Sequence, residues 1–269
     1  MVGFHEATVA LLESRMSDEM ANLIRRFGGT PYSVSSVREL PVQDEGQIEA
    51  FIRLLLDKEA DIVIFSTGKS ASLLLQAVEE RGQLPALLEA LRQMQVFCRG
   101  PKPYAVLKKH DVPVALQAPA PHTTETLLEA MKGLEMRSKR VALLHHGERN
   151  EALVRALRER EAAVNELCLY VWQLPEDTGP LRKLVHELIA GGVHAIVFTS
   201  QVQVRHLLLI AQEEARENEL IQALNERVIV GSVGPVCTAM LNQYGVRPHV
   251  VPDHPKMGHL VKALAQYMG

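Results

Sequence analysis

An internal duplication is the feature of this chain that most restricts its fold. Residues 9–12 (VALL) recur as residues 141–144, and residues 62–67 (IVIFST) recur as residues 195–200 (AIVFTS). The offset between matching segments stays between 132 and 134 residues, whereas chance matches would scatter. A repeated sequence of this length indicates a repeated structural unit. We therefore expect two similar units in the chain.

Each copy alternates short aliphatic runs with amphipathic segments. Residues 62–65 (IVIF) and 195–198 (AIVF) are typical of strands that are buried on both faces of a parallel sheet. Helical patterns follow them, for example at residues 70–75 and 204–209. Aromatic residues make up only 4% of the chain, so its core must be mainly aliphatic. The fold class predicted is α/β, with parallel sheets covered by helices on both faces.

Two extended segments interrupt this alternation. Residues 32–41 and residues 167–175 both end in Leu-Pro, and proline disfavours helix in the residue before it. We interpret residues 35–42 and 168–176 as a pair of linker strands. The domains are then residues 43–167 and a discontinuous domain of residues 1–34 with 177–269. A tandem division near residue 135 fits the duplication equally well.

Composition and motifs argue against several classes of protein. The net charge is −3, and the basic pairs 25–26 and 108–109 lack interleaved aromatic residues, so no nucleic-acid partner is expected. The first residues lack a signal-peptide pattern, and no run approaches the ~18 apolar residues of a membrane span. We therefore expect a cytoplasmic protein without a membrane partner, acting as a monomer.

No cofactor or metal site is predicted. The chain has neither a G-x-G-x-x-G fingerprint after a strand nor a Walker A sequence. Cys98, Cys168 and Cys237 are widely spaced, as buried reduced thiols would be. His145 and His146 are adjacent in a predicted strand, so their side chains should point to opposite faces and cannot easily share one ion.

Turns after the predicted strands are rich in Ser, Thr, Gly and Lys. In doubly wound sheets, ligands bind beyond the carboxyl ends of the strands, where helix N-termini present free N–H groups. Such turns suit an anionic ligand. Helix capping alone also explains any single turn. Recurrence of the turns at equivalent positions in both copies favours binding.

Six segments that span almost the whole chain form an ordered set. They are ALLESRMSDEMANLIRRFGGTPYSVSSVRELP, DIVIFSTGKSASLLL, FCRGPKPYAVLKKHDV, VALLHHGERNEALVRAL, HAIVFTSQVQVRHLLL and VGSVGPVCTAMLNQYGVRPHVV. In their order and spacing these segments resemble the uroporphyrinogen-III synthases. The resemblance implies two flavodoxin-like domains that are joined by a two-stranded linker and separated by a broad cleft. It also implies the substrate hydroxymethylbilane, which is closed with loss of water and inversion of ring D, without a cofactor.

Candidate site residues follow from the turns and from this resemblance. Members of the family often have a tyrosine in the second linker segment that is proposed to assist departure of the substrate hydroxyl, and Trp172 stands at that position here. Tyr170 lies two residues earlier on the same strand face and could substitute for it, or it could simply pack against the linker. The predicted substrate contacts are Arg15, Thr67, Gly68, Arg99, Gly100, Lys102, His146, Gly147, Ser200, Gln201 and Gly234.

Two other functions remain open at this stage. Two α/β lobes with a hinge also describe a small-molecule sensor. The replacement of the family tyrosine by Trp172, and the presence of Val236 or Cys237 where the family commonly has threonine after Gly-Pro, are compatible with a relative that binds tetrapyrrole without catalysis.

Overall fold

The computed structural model describes residues 3–14 and 16–269. The chain divides into two compact units. Unit 1 consists of Met1–Arg38 with Gln173–Gly269, and unit 2 is Glu39–Trp172. Each unit is described by itself below.

The strands are short, and the central strands of each sheet are buried. They are β1 Thr8–Leu11, β2 Thr30–Ser33, β3 Arg38–Pro41, β4 Ile62–Phe65, β5 Gln95–Cys98, β6 Leu116–Gln117, β7 Arg140–Leu144, β8 Ala163–Leu167, β9 Tyr170–Gln173, β10 Ala195–Phe198 and β11 Ile229–Ser232.

Helices alternate with most of the strands. They are α1 Ser17–Arg26, α2 Glu45–Leu56, α3 Gly68–Glu79, α4 Leu84–Arg92, α5 Pro101–Lys108, α6 Thr124–Ala130, α7 Glu151–Glu159, α8 Gly179–Ala190, α9 Gln201–Glu213, α10 Glu217–Glu226, α11 Pro235–Gln243 and α12 Met257–Met268.

Each unit is built on one parallel sheet. Among the described residues, the strand order is β11-β10-β1-β2 in unit 1 and β6-β5-β4-β7-β8 in unit 2. All neighbours in both sheets are parallel. Strands β3 and β9 form a separate two-stranded sheet where the chain passes between the units. The predicted α/β class with parallel sheets and a two-stranded linker is confirmed.

The duplication explains why the two sheets have the same strand order. Strands β1 and β7 carry one repeated sequence, and β4 and β10 carry the other. Unit 1 pairs β1 with β10, and unit 2 pairs β7 with β4, so the centre of each sheet combines one strand from each copy. Both orders follow the flavodoxin-like pattern, whose switch point lies between these two central strands.

Aliphatic strands bury both faces of each sheet. In β4, Val63 and Phe65 pack on the side of α2, α3 and α4, while Ile62 and Ile64 pack on the side of α6 and α7. Successive side chains of a strand point to opposite faces, so an uninterrupted apolar run serves two layers of helices. The central strands are therefore fixed in register, and the turns at their carboxyl ends are held on a rigid base.

Among the described residues, no helix combines the length and apolar character needed to span a bilayer.

Candidate functional site

The switch point of unit 2 brings together most of the predicted site residues. The turns after β4, β5 and β7 place Thr67, Arg99 and His146 at the carboxyl edge of the sheet. Strand β9 adds Tyr170 and Trp172, whose ring centroids are 6.1 Å apart. This group mixes a cation, an imidazole, a phenol and an indole, as a site for an anionic aromatic ligand would.

Arg99 is a partly buried cation at the centre of this group. Its Nη1 lies 3.4 Å from Nε2 of His146, and its pKa is lowered by burial, although Tyr170 and Glu125 oppose that shift. Within the described residues no carboxylate lies within ion-pair distance of its guanidinium. Burying a charge costs free energy unless an opposite charge compensates, so the position favours an anion from outside the chain.

His146 is neutral in the folded protein. Burial, aided by the positive charges of Arg99 and His145, lowers its pKa from 6.5 to about 3. A guanidinium can only donate hydrogen bonds, so Nε2 of His146 accepts and the ring proton resides on Nδ1. Nδ1 is buried and has no hydrogen-bond partner among the described residues. The imidazole therefore orients Arg99 without neutralising it.

Trp172 closes one side of this group. Its indole lies edge-on to the His146 ring at a centroid distance of 5.5 Å, and its backbone N–H donates to the carbonyl oxygen of Gly147 at 3.0 Å. Gly147 has φ +66°, and a β-carbon there would overlap the indole. In the sequence Trp172 stands out only as a departure from the family, because its contact with Gly147 carries no local sequence signal.

Tyr170 is buried, with 4% of its surface exposed. Its hydroxyl lies 3.3 Å from the Thr67 hydroxyl, and the Lys69 ammonium stands 5.1 Å from its ring centroid. Lys69 also forms an ion pair with Glu39. The phenol is thus fixed in position by a hydroxyl on one side and a cation over its ring. A ligand must approach closely to reach the hydroxyl.

The predicted glycines allow helix ends to approach their neighbours. A β-carbon on Gly68 would lie 3.1 Å from the backbone of Lys102, and one on Gly100 would lie 3.3 Å from Cβ of His122. Gly100 precedes Pro101 at the start of α5, and no side chain of the described residues caps that helix. Thr67, in contrast, caps α3 reciprocally with Ser70. Capping thus accounts for Thr67 in part. At the N-terminus of α5, Pro101 and Pro103 have no N–H, so the free N–H groups there are those of Gly100 and Lys102.

Unit 1 has corresponding turns at its own switch point. Ser200 precedes α9 and Gly234 precedes α11, both without a side-chain cap, and Gln201 is the first residue of α9. Two further residues here were not predicted from the sequence. Glu13 accepts a hydrogen bond of 2.6 Å from the Thr199 hydroxyl, and Gln203 accepts one of 2.8 Å from the Thr199 backbone N–H.

The remaining predicted residues are placed as follows. Lys102 is exposed in the first turn of α5. Arg15 lies outside the described residues. His145 and His146 diverge as expected, because His145 bonds to Glu166 at 3.0 Å while His146 faces Arg99. Among the described residues, no group of three His, Cys, Asp or Glu side chains could hold a metal ion.

The thiols are poor nucleophiles. Burial raises the pKa of Cys98 to about 12 and that of Cys237 to about 11. Burial also raises the pKa of Cys168. Since the thiolate is the reactive form, none of these groups suits nucleophilic catalysis near neutral pH.

A cavity of about 330 Å³ lies at the opposite, amino-terminal edge of the unit 2 sheet. Its lining includes Asp61 and Arg140, which pair with each other at 3.2 Å. The Arg140 side chain holds the pKa of Asp61 below its usual value. Because these charges already compensate each other, the carboxyl edge with Arg99 is the better candidate site.

Comparison with known proteins identifies one family. The family model "Uroporphyrinogen-III synthase HemD" matches residues 18–262. The uncharacterized protein YjjA of Bacillus subtilis is 31% identical over 260 residues, which is 96% of this chain and 95% of that protein. A "Putative uroporphyrinogen-III synthase" of Methanothermobacter thermautotrophicus is 33% identical over 254 residues, covering 94% of this chain and 95% of that protein.

The fold is shared with a solved enzyme of the same description. A crystal structure of a mutant uroporphyrinogen III synthase from Thermus thermophilus superposes with a TM-score of 0.81 at 25% sequence identity. The match covers 98% of this chain and 100% of the Thermus chain.

Proposed function

Because the chain belongs to the uroporphyrinogen-III synthase family, we propose that it closes hydroxymethylbilane to uroporphyrinogen III. The reaction inverts ring D and releases water, as a cyclising hydro-lyase of tetrapyrrole biosynthesis. The observation that carries the proposal is the family match over residues 18–262, supported by a common fold over the full length of the Thermus enzyme. We propose that the protein acts as a monomer without a cofactor.

The reaction requires few catalytic side chains from the protein. The electron pair of the pyrrole nitrogen expels the substrate hydroxyl, which takes up one proton and leaves as water. The methylene carbon left by the hydroxyl bonds to the α-carbon of ring D that already carries the bridge to ring C, which gives a spiro intermediate. The older bond from ring D to that bridge then breaks, the bridge carbon bonds to the free α-carbon of ring D, and that carbon loses its proton, so the macrocycle closes with ring D inverted. A proton donor near the hydroxyl and a fixed substrate conformation suffice. Proximity and orientation are worth as much as ~7–11 kcal/mol in favourable cases.

We propose Tyr170 as that proton donor. Its hydroxyl is held 3.3 Å from the Thr67 hydroxyl, beneath the carboxyl edge of the sheet. Trp172 occupies the position of the family tyrosine, and an indole N–H donates a hydrogen bond but is not a useful acid. Tyr170 is the phenol next to it on the same strand.

The substrate contacts are proposed at the turns after the parallel strands. In unit 2 they are Thr67, Gly68, Arg99, Gly100, Lys102 and Gly147, with His146 acting on the substrate through Arg99. In unit 1 they are Arg15, Ser200, Gln201 and Gly234. No side chain of the described residues caps the helix N-termini at Gly100, Ser200 and Gly234, which supports this assignment, since backbone N–H groups there can bind carboxylates without a basic protein.

The domain limits that we propose for this function are residues 43–167 and residues 1–34 with 177–269. Residues 35–42 and 168–176 would serve as the linker, and the pairing of β3 with β9 supports that assignment.

The test is the isomer of the product. Hydroxymethylbilane is generated enzymatically and incubated with the purified protein, and the oxidised porphyrins are separated into types I and III. We expect type III to predominate. Type I is the product of spontaneous closure, so type I alone would refute the proposal. Type I together with retained tetrapyrrole binding would favour a non-catalytic relative, the alternative compatible with Trp172.

A further inference from the structure

Arg99 differs from three other arginines of unit 2, which form ion pairs with carboxylates. Arg140 pairs with Asp61 at 3.2 Å, and Arg149 pairs with Glu166 at 2.6 Å. Arg158 pairs with the same Glu166 at 3.0 Å. Arg99 has only the neutral His146 within hydrogen-bond distance among the described side chains. Among the described residues, the charge of Arg99 is therefore not paired directly with a carboxylate, and Glu125 acts on it only from a longer distance.

The surroundings of Arg99 keep that charge available. His146 accepts a hydrogen bond from the guanidinium through Nε2 but carries no negative charge. The Trp172 indole contacts the His146 ring edge-on. The same indole packs against Gly147, the residue after His146. A guanidinium fixed through one of its N–H groups still presents others in a planar fork, which matches the two oxygens of a carboxylate.

We propose that the Arg99 guanidinium binds a carboxylate of the ligand directly, and that His146 is a positioning residue that orients this guanidinium. That this carboxylate belongs to hydroxymethylbilane, which carries acetate and propionate side chains, rests on the proposed function. In addition to the backbone N–H groups, the Arg99 side chain then determines carboxylate recognition.

Trp172 provides a direct readout. It is the single tryptophan of the chain, and its ring lies 5.5 Å from the His146 ring. A tetrapyrrole bound at Arg99 should therefore quench the intrinsic indole fluorescence. The titration uses uroporphyrin III, a stable macrocycle with the carboxylates of the product, and it is independent of turnover.

The decisive variants are Arg99→Met and Arg99→Lys. Arg99→Met removes the charge and keeps an unbranched chain, and it should weaken uroporphyrin binding and raise the KM for hydroxymethylbilane about tenfold or more. Arg99→Lys keeps the charge without the planar fork and should fall between Arg99→Met and the wild type. The matched control is Arg53→Gln, since Arg53 is an exposed arginine of α2 whose side chain is 70% accessible.

The role of His146 is tested by two replacements. His146→Gln keeps a neutral acceptor for Arg99 and should bind uroporphyrin within about threefold of the wild type. His146→Leu removes the acceptor and should weaken binding about tenfold, raising KM more than it lowers kcat. Equal behaviour of the two variants would contradict the positioning role. Thermal unfolding without ligand shows whether each variant is folded.

The outcomes separate this inference from the proposed function. If type III product forms but Arg99→Met binds uroporphyrin and substrate as tightly as the wild type, the inference is wrong and the function stands. If no type III product forms but porphyrin binding depends on Arg99, the inference stands and the function is wrong. If neither uroporphyrin affinity nor KM depends on Arg99, the inference is overturned.

Discussion

Gly147 and Trp172 are packed so closely that the glycine cannot carry a side chain. A β-carbon at position 147 would overlap the indole, and φ of Gly147 is +66°. The same turn carries His146, whose ring meets the indole edge-on. Trp172 thus shapes the turn that presents His146 to Arg99.

Replacing Gly147 should reveal this contact as a loss of stability. Gly82 is a matched control, because its φ is +69° but none of the described atoms lies within 4 Å of the place that a β-carbon would take. Gly82→Ala should cost about 1 kcal/mol for the left-handed backbone alone. Gly147→Ala should cost about 1–3 kcal/mol more, because the added methyl group overpacks the site. Urea unfolding measures both.

A double variant isolates the overlap. In a Trp172→Ala background, the additional cost of Gly147→Ala over Gly82→Ala should disappear, since the indole that it would meet is gone. An unchanged cost in that background would show that the backbone conformation, rather than Trp172, requires the glycine.

The partly buried, neutral His146 should make the protein less stable in mild acid. Its pKa is about 3 when folded and about 6.5 when unfolded. Between these pH values the unfolded chain binds the proton and the folded chain does not. The free energy of unfolding is therefore highest above pH 6.5 and decreases as the pH falls. From pH 7 to pH 5 this residue should cost about 2 kcal/mol of unfolding free energy.

His146→Gln provides the comparison for this effect. Urea unfolding at pH 7 and pH 5 should show a smaller loss in the variant than in the wild type, because glutamine does not titrate. His145, whose pKa is also lowered by burial, is present in both proteins and cancels. Identical losses would mean that His146 is protonated in the folded protein.

Tyr170→Phe tests the proposed proton donor. The variant keeps the buried ring and loses only the hydroxyl near Thr67. We expect kcat for type III formation to fall by roughly a hundredfold with little change in KM, as for loss of a general acid. Tyr267→Phe is the control, because Tyr267 is 57% exposed in α12. Turnover of Tyr170→Phe within twofold of the wild type would assign Tyr170 to packing alone.

The sheets were predictable because their strands can be recognised from short local runs of sequence. Runs such as IVIF and AIVF can only be buried on two faces, and their repetition predicted two similar units. The pairing of β1 with β10 is less accessible from sequence, since it joins residues almost two hundred positions apart and the duplication does not say which copies share a sheet.

The candidate site was predictable as a set of turns but not as a set of contacts. Arg99 and His146 were recognised from turns that follow separate strands, yet the neutral state of His146 depends on burial that no local pattern encodes. Glu13 and Gln203 were missed because a single carboxylate and a helical amide resemble ordinary capping groups. Their link through Thr199 becomes visible only when β1 and β10 are adjacent.

Turnover at substoichiometric protein tests the central claim most directly. With one protein molecule per hundred hydroxymethylbilane molecules, the fraction of type III product is measured before spontaneous closure consumes the substrate. A catalyst converts most of the substrate to type III, and that is the predicted result. If type III never exceeds the amount of protein added, or only type I forms, the chain is not the synthase that its family membership leads us to propose.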